Sequence, residues 1–162
     1  MITKAKDIYN KDILLNEKQE QVMMEWEKPY MEECINMLQP CGHVLEIGFG
    51  LGYSANQIRK YNIKSHTVIE ADDLIYNDLL KWADDKTKPV KGYWQQELST
   101  LGKFDCIFFD DFGLENVKQE QDYRIFEFYY KIAKDHIKPN SRFVFYCDMD
   151  LYWPVNPWVK YE

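Results

Sequence analysis

The chain contains 162 residues, a length that suits one domain with a single hydrophobic core. Apolar residues make up 46% of it, too many for a disordered chain, and no apolar run approaches the roughly 20 residues of a membrane span. The net charge of -7 disfavours a nucleic-acid partner, because phosphate binding needs a basic patch, but it is compatible with a cationic substrate.

The N-terminus and the cysteine and histidine positions also exclude several classes of protein. The first residues mix lysines with aspartates and lack a long apolar centre, so we predict no signal peptide and a cytoplasmic location. The four cysteines show no C-x-x-C spacing and the three histidines lie far apart, which predicts no metal site. Cys106 and Cys147 fall in apolar strand-like runs, where a reduced, buried thiol is expected.

Residues 1–40 are predicted to form an N-terminal helical cover over a single domain that spans residues 1–162. Helical spacing extends over residues 17–39, and the expected inward positions are Val22, Trp26, Cys34, Ile35 and Leu38. Pro29 interrupts this run and is expected to start a second helix.

From about residue 42 onward, strand-like and helix-like segments alternate, the pattern of a parallel sheet covered on both faces. The expected strands are residues 43–48, 66–70, 89–94, 105–110 and 142–147. Helices are expected after Gly52, after a cap at Asp72 or Asp73, and along Phe126, Tyr130, Ala133 and Ile137, before a turn at Asn140. Right-handed crossovers then give a doubly wound α/β, Rossmann-like core over residues 41–150.

The segment EIGFGLG, from Glu46 to Gly52, follows a predicted strand and opens a helix. Gly48, Gly50 and Gly52 allow a sharp turn and close approach of a ligand to the backbone. Their G-x-G-x-G spacing differs from the G-x-G-x-x-G of dinucleotide enzymes, so a dehydrogenase fits poorly. The segment therefore favours S-adenosylmethionine (SAM), which has no pyrophosphate.

Polar residues at the other strand ends should meet this loop at one edge of the sheet. Glu70 lies 22 positions after Gly48, and its carboxylate can accept hydrogen bonds from two ribose hydroxyls. Trp94 and Gln95 could bracket an adenine, although Trp94 taken alone fits better as a core residue. Asp110 and Asp148 follow the last two predicted strands and complete this edge.

Several motifs resemble guanidinoacetate N-methyltransferase and the related arginine methyltransferases that modify the internal guanidino nitrogen. The specific match is VMMEWEKPYM at residues 22–31, followed by VLEIGFG at 44–50. Further matches lie at residues 92–94, 104–110, 137–139 and 145–147, so the resemblance covers about residues 19–150. It implies a class I SAM-dependent methyltransferase fold and SAM as the methyl donor.

The resemblance also implies roles for individual residues. Glu27 and Asp110 would be the catalytic carboxylates that bind the guanidinium of the acceptor. Motif and resemblance together give the residues expected to line the SAM site: Met23, Met31, Glu46, Gly48, Gly50, Leu51, Gly52, Tyr53, Ser54, Glu70, Ala71, Asp72, Trp94, Gln95 and Asp110.

The pairing of two acids with a guanidinium makes chemical sense without the family. A guanidinium is planar and always charged, and it matches carboxylates in a bidentate arrangement. Since its pKa exceeds about 12, prior deprotonation is costly, and we expect Asp110 or Glu27 to take the proton as the methyl group is transferred.

The sequence departs from the family at both ends. It leaves little room before Ile8 for the family's N-terminal segment, which helps to close the site, and it ends where a C-terminal strand pair is usual, so we predict that this pair is absent. The aromatic tail, residues 151–162, is expected to cover the exposed sheet edge or to contact a second copy of the chain. The acceptor could therefore be as large as an arginine side chain on a peptide.

Two further functions stay open on the sequence. The chain could methylate a different small molecule with SAM, or it could be a SAM-binding, non-catalytic partner subunit that becomes active with a second protein.

Overall fold

The computed structural model describes residues 1–111 and 121–146, with the side chains of 121–124 left aside. Cys147, Asp148 and the aromatic tail lie outside the described residues, so the predictions made for them stand as predictions. Among the described residues, no helix has the length and apolar character needed to cross a membrane.

The N-terminal residues form a small antiparallel sheet of β1 (Thr3–Lys6), β2 (Asp12–Leu15) and β3 (Gln21–Met24). The prediction of a helix from residue 17 is therefore wrong for residues 17–24. Asn16 causes the difference, because its side-chain oxygen accepts from the backbone N–H groups of Lys18 and Glu20, both at 2.9 Å, and reverses the chain. Trp26, predicted to face inward, is 66% exposed.

The first long helix, α1 (Lys28–Leu38), follows a 3₁₀ turn at Glu25–Glu27 and confirms the second half of the predicted N-terminal run. Pro29 lies in its first turn, where its missing N–H breaks no hydrogen bond. Its buried face carries Cys34, Ile35 and Leu38, as predicted.

Strands and helices alternate from there to the end of the described chain. The remaining elements are β4 (Gly42–Ile47), α2 (Tyr53–Ile58), β5 (Ile63–Glu70), α3 (Asp73–Trp82), β6 (Thr87–Lys91), α4 (Trp94–Glu97), β7 (Phe104–Phe109), α5 (Gln121–Asp135) and β8 (Ile137–Phe145). All five strands are parallel, in the order β6-β5-β4-β7-β8, so the doubly wound α/β prediction is confirmed. The third strand is shorter than predicted, and Trp94 opens α4.

The sheet separates two hydrophobic layers because side chains alternate along each strand. Val44, Val68 and Phe108 point to the layer covered by α1, α2, α3 and the N-terminal sheet. Leu45, Ile69 and Ile107 point to the layer covered by α4 and α5. The side chains at the centres of both layers are almost fully buried, which fixes the register of the strands and the positions of their ends.

Two predictions near β8 need correction. Among the described side chains of α5, residues 125–135, the buried ones are Phe128 and Ile132, whereas Phe126 and Tyr130 are 41% and 73% exposed, so the predicted face was wrong. Aromatic residues occur on both sides of this helix, so their spacing does not single out one face. Asn140 is left-handed, with φ 65°, but it lies within β8 at a pairing irregularity and does not end α5.

Gly48 shows how tightly the central strand ends are packed. It adopts φ 84°, and a Cβ there would overlap the carbonyl oxygen of Asp110. We predict that Gly48→Ala lowers the free energy of unfolding by about 1–3 kcal/mol from the left-handed backbone alone, and further from this overlap. Urea denaturation measures the change. Gly102→Ala is the matched control, because no atom lies within 4 Å of its added Cβ; equal stability of the two variants would contradict the packing described.

Candidate active site

The glycine loop between β4 and α2 lies at the centre of the sheet's carboxyl edge. Gly48, Gly50 and Gly52 have φ of 84°, 52° and 74°, so the loop uses a backbone conformation that other residues rarely adopt. Gly52 then caps α2, which begins at Tyr53. The three glycines thus form the sharp turn that the sequence predicts.

Met23, on the N-terminal sheet, covers this loop. Its sulfur accepts a hydrogen bond from the backbone N–H of Leu51 at 3.0 Å, and a Cβ on Gly50 would overlap the same sulfur. Met23 and Met31 are both buried. The structure therefore brings the predicted methionine and glycine residues together, although they come from separate parts of the chain.

Glu46 lies fully buried beneath the loop, held from two sides. One carboxylate oxygen accepts from the hydroxyl of Ser54, and the other is 2.7 Å from Nε2 of His66. His66 is itself buried, and its ring stands edge-on to Trp82 at a centroid distance of 6.0 Å. The Ser54 hydrogen bond orients the Glu46 carboxylate, whereas the His66 contact is a short approach without hydrogen-bond geometry. Sequence reasoning did not assign His66 to the site.

Glu70 ends β5 beside the loop and anchors it. Its carboxylate accepts from the backbone N–H group of Phe49, in the loop, at 2.9 Å and from that of Asp72, two residues further along the chain, at 2.8 Å. Burial raises the pKa of Glu70 above its ordinary value, against the opposing effect of these two hydrogen bonds. The carboxylate retains lone pairs for further donors such as the ribose hydroxyls predicted from the sequence.

Asp72 connects the same edge with the N-terminus. One of its oxygens accepts from the N–H groups of Leu74 and Ile75 and caps α3, as predicted. Its other oxygen accepts from the N–H of Ile2 at 2.8 Å. The first residues of the chain therefore lie against the predicted ribose end of the site.

Trp94 occupies the core beneath this edge. It is 2% exposed and contacts Phe109 and Phe128 edge-on, while its indole N–H donates to Asp111 at 2.8 Å. Gln95 is exposed. These contacts agree with the core interpretation of Trp94, and its contact with adenine stays a prediction.

Glu27, at the junction of the 3₁₀ turn and α1, is 5% exposed, and both of its carboxylate oxygens accept hydrogen bonds. One oxygen accepts from the N–H of Met24 at 2.8 Å, and the other accepts from the hydroxyl of Tyr146 at 2.5 Å. Each oxygen of the Glu27 carboxylate therefore accepts one hydrogen bond and retains a lone pair for a further donor. Tyr146, just beyond β8, was not assigned a role from the sequence, because it lies in a run typical of a core strand.

Asp110 follows β7, and its N–H donates to the carbonyl of Ile47 at 3.0 Å, which places it beside the glycine loop. Burial raises the pKa of Asp110 to about 8, and the negative charge of Glu27 is the next largest cause, ahead of Glu46, Asp111 and Glu70. The charge of Glu27 thus acts on Asp110, although the two residues are 83 positions apart in the sequence. The site concentrates negative charge and favours a cation.

The described residues fit SAM as the donor. The left-handed glycine loop and the buried carboxyl of Glu70 on the neighbouring strand lie together at the carboxyl edge of the sheet, where the sequence predicts the donor site. Within the ranges the structure describes, no group of three or more His, Cys, Asp or Glu side chains is arranged to hold a metal ion.

Comparison with solved structures finds the same fold. Precorrin 8w decarboxylase from Methanobacterium thermoautotrophicum matches 76% of this chain and 62% of its own, with a TM-score of 0.55 and 11% identity. The DhpI-SAM-HEP complex matches 78% of this chain and 56% of its own, with a TM-score of 0.54 and 18% identity. At these identities the likeness concerns the fold alone.

Comparison with curated proteins finds protein arginine N-methyltransferase 2 of several fungi. The protein from Candida glabrata is 31% identical over 151 residues, which cover 85% of this chain and 35% of that protein. The protein from Kluyveromyces lactis is 28% identical over 156 residues, which cover 91% and 38%. This chain thus spans little more than a third of the length of these relatives.

The family match extends over almost the whole chain. The sequence model of guanidinoacetate N-methyltransferase matches residues 2–155, which include the N-terminal sheet, the glycine loop and both acids of the candidate site. The chain belongs to the guanidinoacetate N-methyltransferase family and has the class I fold of SAM-dependent methyltransferases.

Proposed function

We propose that this chain transfers a methyl group from SAM to a guanidino nitrogen of a small molecule or of an arginine side chain. The observation that carries the proposal is the pairing of Glu27 with Asp110, whose pKa rises to about 8 because of burial and the nearby Glu27 charge. Two such acids suit a planar, permanently charged group with several N–H donors. Family membership and the arginine-methylating relatives support the same chemistry.

Glu27 and Asp110 have different tasks in this proposal. Glu27, held by Met24 and Tyr146, presents a fixed anion that orients the guanidinium. Asp110 keeps its proton in the free protein at neutral pH, because its pKa is about 8. The arriving cation stabilises the ionised form of Asp110, which then gives up its proton and becomes able to act as a base.

When bound, SAM would supply a methyl carbon on a positively charged sulfur; as this carbon bonds to the acceptor nitrogen, the carbon–sulfur bond breaks and leaves a neutral thioether. Asp110 accepts the proton that the attacking nitrogen loses, at one of its carboxylate oxygens, so the guanidinium need not deprotonate beforehand. Glu27 keeps the rest of the guanidinium in place, and alignment of this kind supplies a large part of catalysis in displacement reactions.

Substitution of the two acids tests the proposal. Asp110→Asn should leave SAM binding largely intact and lower turnover by about 10²–10⁴-fold, because the proton acceptor is lost. Glu27→Gln should mainly raise the acceptor KM. Labelled SAM and an acceptor panel of guanidinoacetate, an arginine-containing peptide and unrelated amines measure activity, and calorimetry measures SAM binding.

Asp85→Asn, a change at an exposed carboxylate before β6, is the matched control and should behave as the wild type. If only non-guanidino acceptors are methylated and Glu27→Gln is harmless, the chain is a SAM enzyme for another small molecule. If SAM binds but no acceptor is methylated, the result contradicts the proposal and favours a non-catalytic partner subunit.

Proton release provides a second, independent prediction. At pH 7 the free Asp110 is protonated, so binding of a guanidinium compound should release up to about one proton, and the release should vanish well above pH 8. The acceptor affinity should accordingly rise with pH up to about 8 and then level off. Calorimetric titration in two buffers of different ionisation enthalpy measures the release.

Asp110→Asn should abolish this release without abolishing SAM binding. A release that is equal at pH 7 and pH 9.5, or one that persists in Asp110→Asn, would show that another group exchanges the proton.

A further inference from the structure

We propose that Tyr146 is a positioning residue that holds the Glu27 carboxylate in the orientation that receives the acceptor. This inference rests on the proposed function, and it adds a residue to which the sequence analysis assigned no role. The Tyr146 hydroxyl donates to Glu27 at 2.5 Å across a sequence separation of 119 residues.

Tyr146 is itself fixed to the strand that carries Asp110. Its backbone N–H donates to the carbonyl of Phe109 at 2.8 Å, and Phe109 directly precedes Asp110. The side chain of Tyr146 thus contacts one acid, while its backbone is bonded to the residue beside the other. Tyr146 therefore connects the two acids that the proposed reaction needs at a constant separation.

The ring of Tyr146 is restrained as well. Tyr30 packs against it edge-on, with a centroid distance of 5.4 Å and an interplanar angle of 86°. Tyr30 lies three residues after Glu27, in the first turn of α1, and Glu27 is the residue that precedes this helix, so the start of α1 supplies both the acid and the ring. This contact limits the positions in which the hydroxyl can lie.

Glu27 needs the second donor because the first one fixes only one of its oxygens. The N–H of Met24 donates to one oxygen at 2.8 Å, and this single hydrogen bond still allows the carboxylate to rotate. The Tyr146 hydroxyl fixes the other oxygen and so sets the plane of the carboxylate. Bidentate binding of a guanidinium depends on that plane.

Tyr146→Phe is the direct test, because it removes the hydroxyl and retains the ring that packs on Tyr30. At saturating SAM, we expect the KM for the methylated acceptor to rise about 10- to 100-fold, with a smaller change in kcat. The Kd for SAM and the thermal unfolding temperature should stay close to wild type. A purely structural role would instead lower the unfolding temperature and disturb SAM binding together with KM.

Tyr130→Phe, at a 73% exposed position on α5, is the matched control and should change none of these quantities. Since Tyr146 acts through Glu27, the double variant Tyr146→Phe/Glu27→Gln should be no worse than Glu27→Gln alone. Additive losses in KM would overturn the positioning role.

Failure of this inference and failure of the proposed function have different signatures. A wild-type chain that methylates a guanidino acceptor, with Tyr146→Phe equal to it in KM, overturns the inference and leaves the function standing. A wild-type chain that binds SAM but methylates no guanidino compound overturns both.

Discussion

Burial of Asp110 among other carboxylates at the carboxyl edge of the sheet is the constraint on which the site depends. Burial and the charges of Glu27, Glu46, Asp111 and Glu70 together keep the pKa of Asp110 near 8. An added positive charge offsets these effects, so binding of a cation and ionisation of Asp110 favour each other. In the proposed reaction, one electrostatic property therefore accounts for the choice of a guanidinium and for the availability of a base.

The sheet makes this crowding possible because it fixes where each acid lies. β4, β5 and β7 are buried on both faces, and their registers place Ile47 beside both Ile69 and Phe109. The next residues along these strands are therefore neighbours: Gly48, Glu70 and Asp110. There is no room for a side chain between Gly48 and Asp110, so the glycine loop packs directly against the backbone of Asp110. Burial of the two hydrophobic layers stabilises the fold and so offsets the cost of holding several carboxylates close together.

The central part of this account could be predicted from the sequence. Buried parallel strands appear as continuous apolar runs, and their topology forces residues such as Glu70 and Asp110 to one edge. The N-terminal sheet could not be predicted in this way, because strands of four residues carry little periodicity and the turn at Asn16 has no glycine or proline. The contact of Tyr146 with Glu27 could not be predicted either, since the two residues are 119 positions apart and the family match at residues 145–147 implies no role for the hydroxyl.

The most direct test is an NMR titration of the Asp110 side-chain carboxyl in the ligand-free, full-length chain, with Asp110→Asn used to assign its signal. The account predicts a midpoint near pH 8, with the carboxyl protonated at pH 7. It also predicts that Glu27→Gln lowers this midpoint, because a neighbouring negative charge is removed. A midpoint near 4, unaffected by Glu27→Gln, would show that the two acids neither crowd each other nor form a site for a cation.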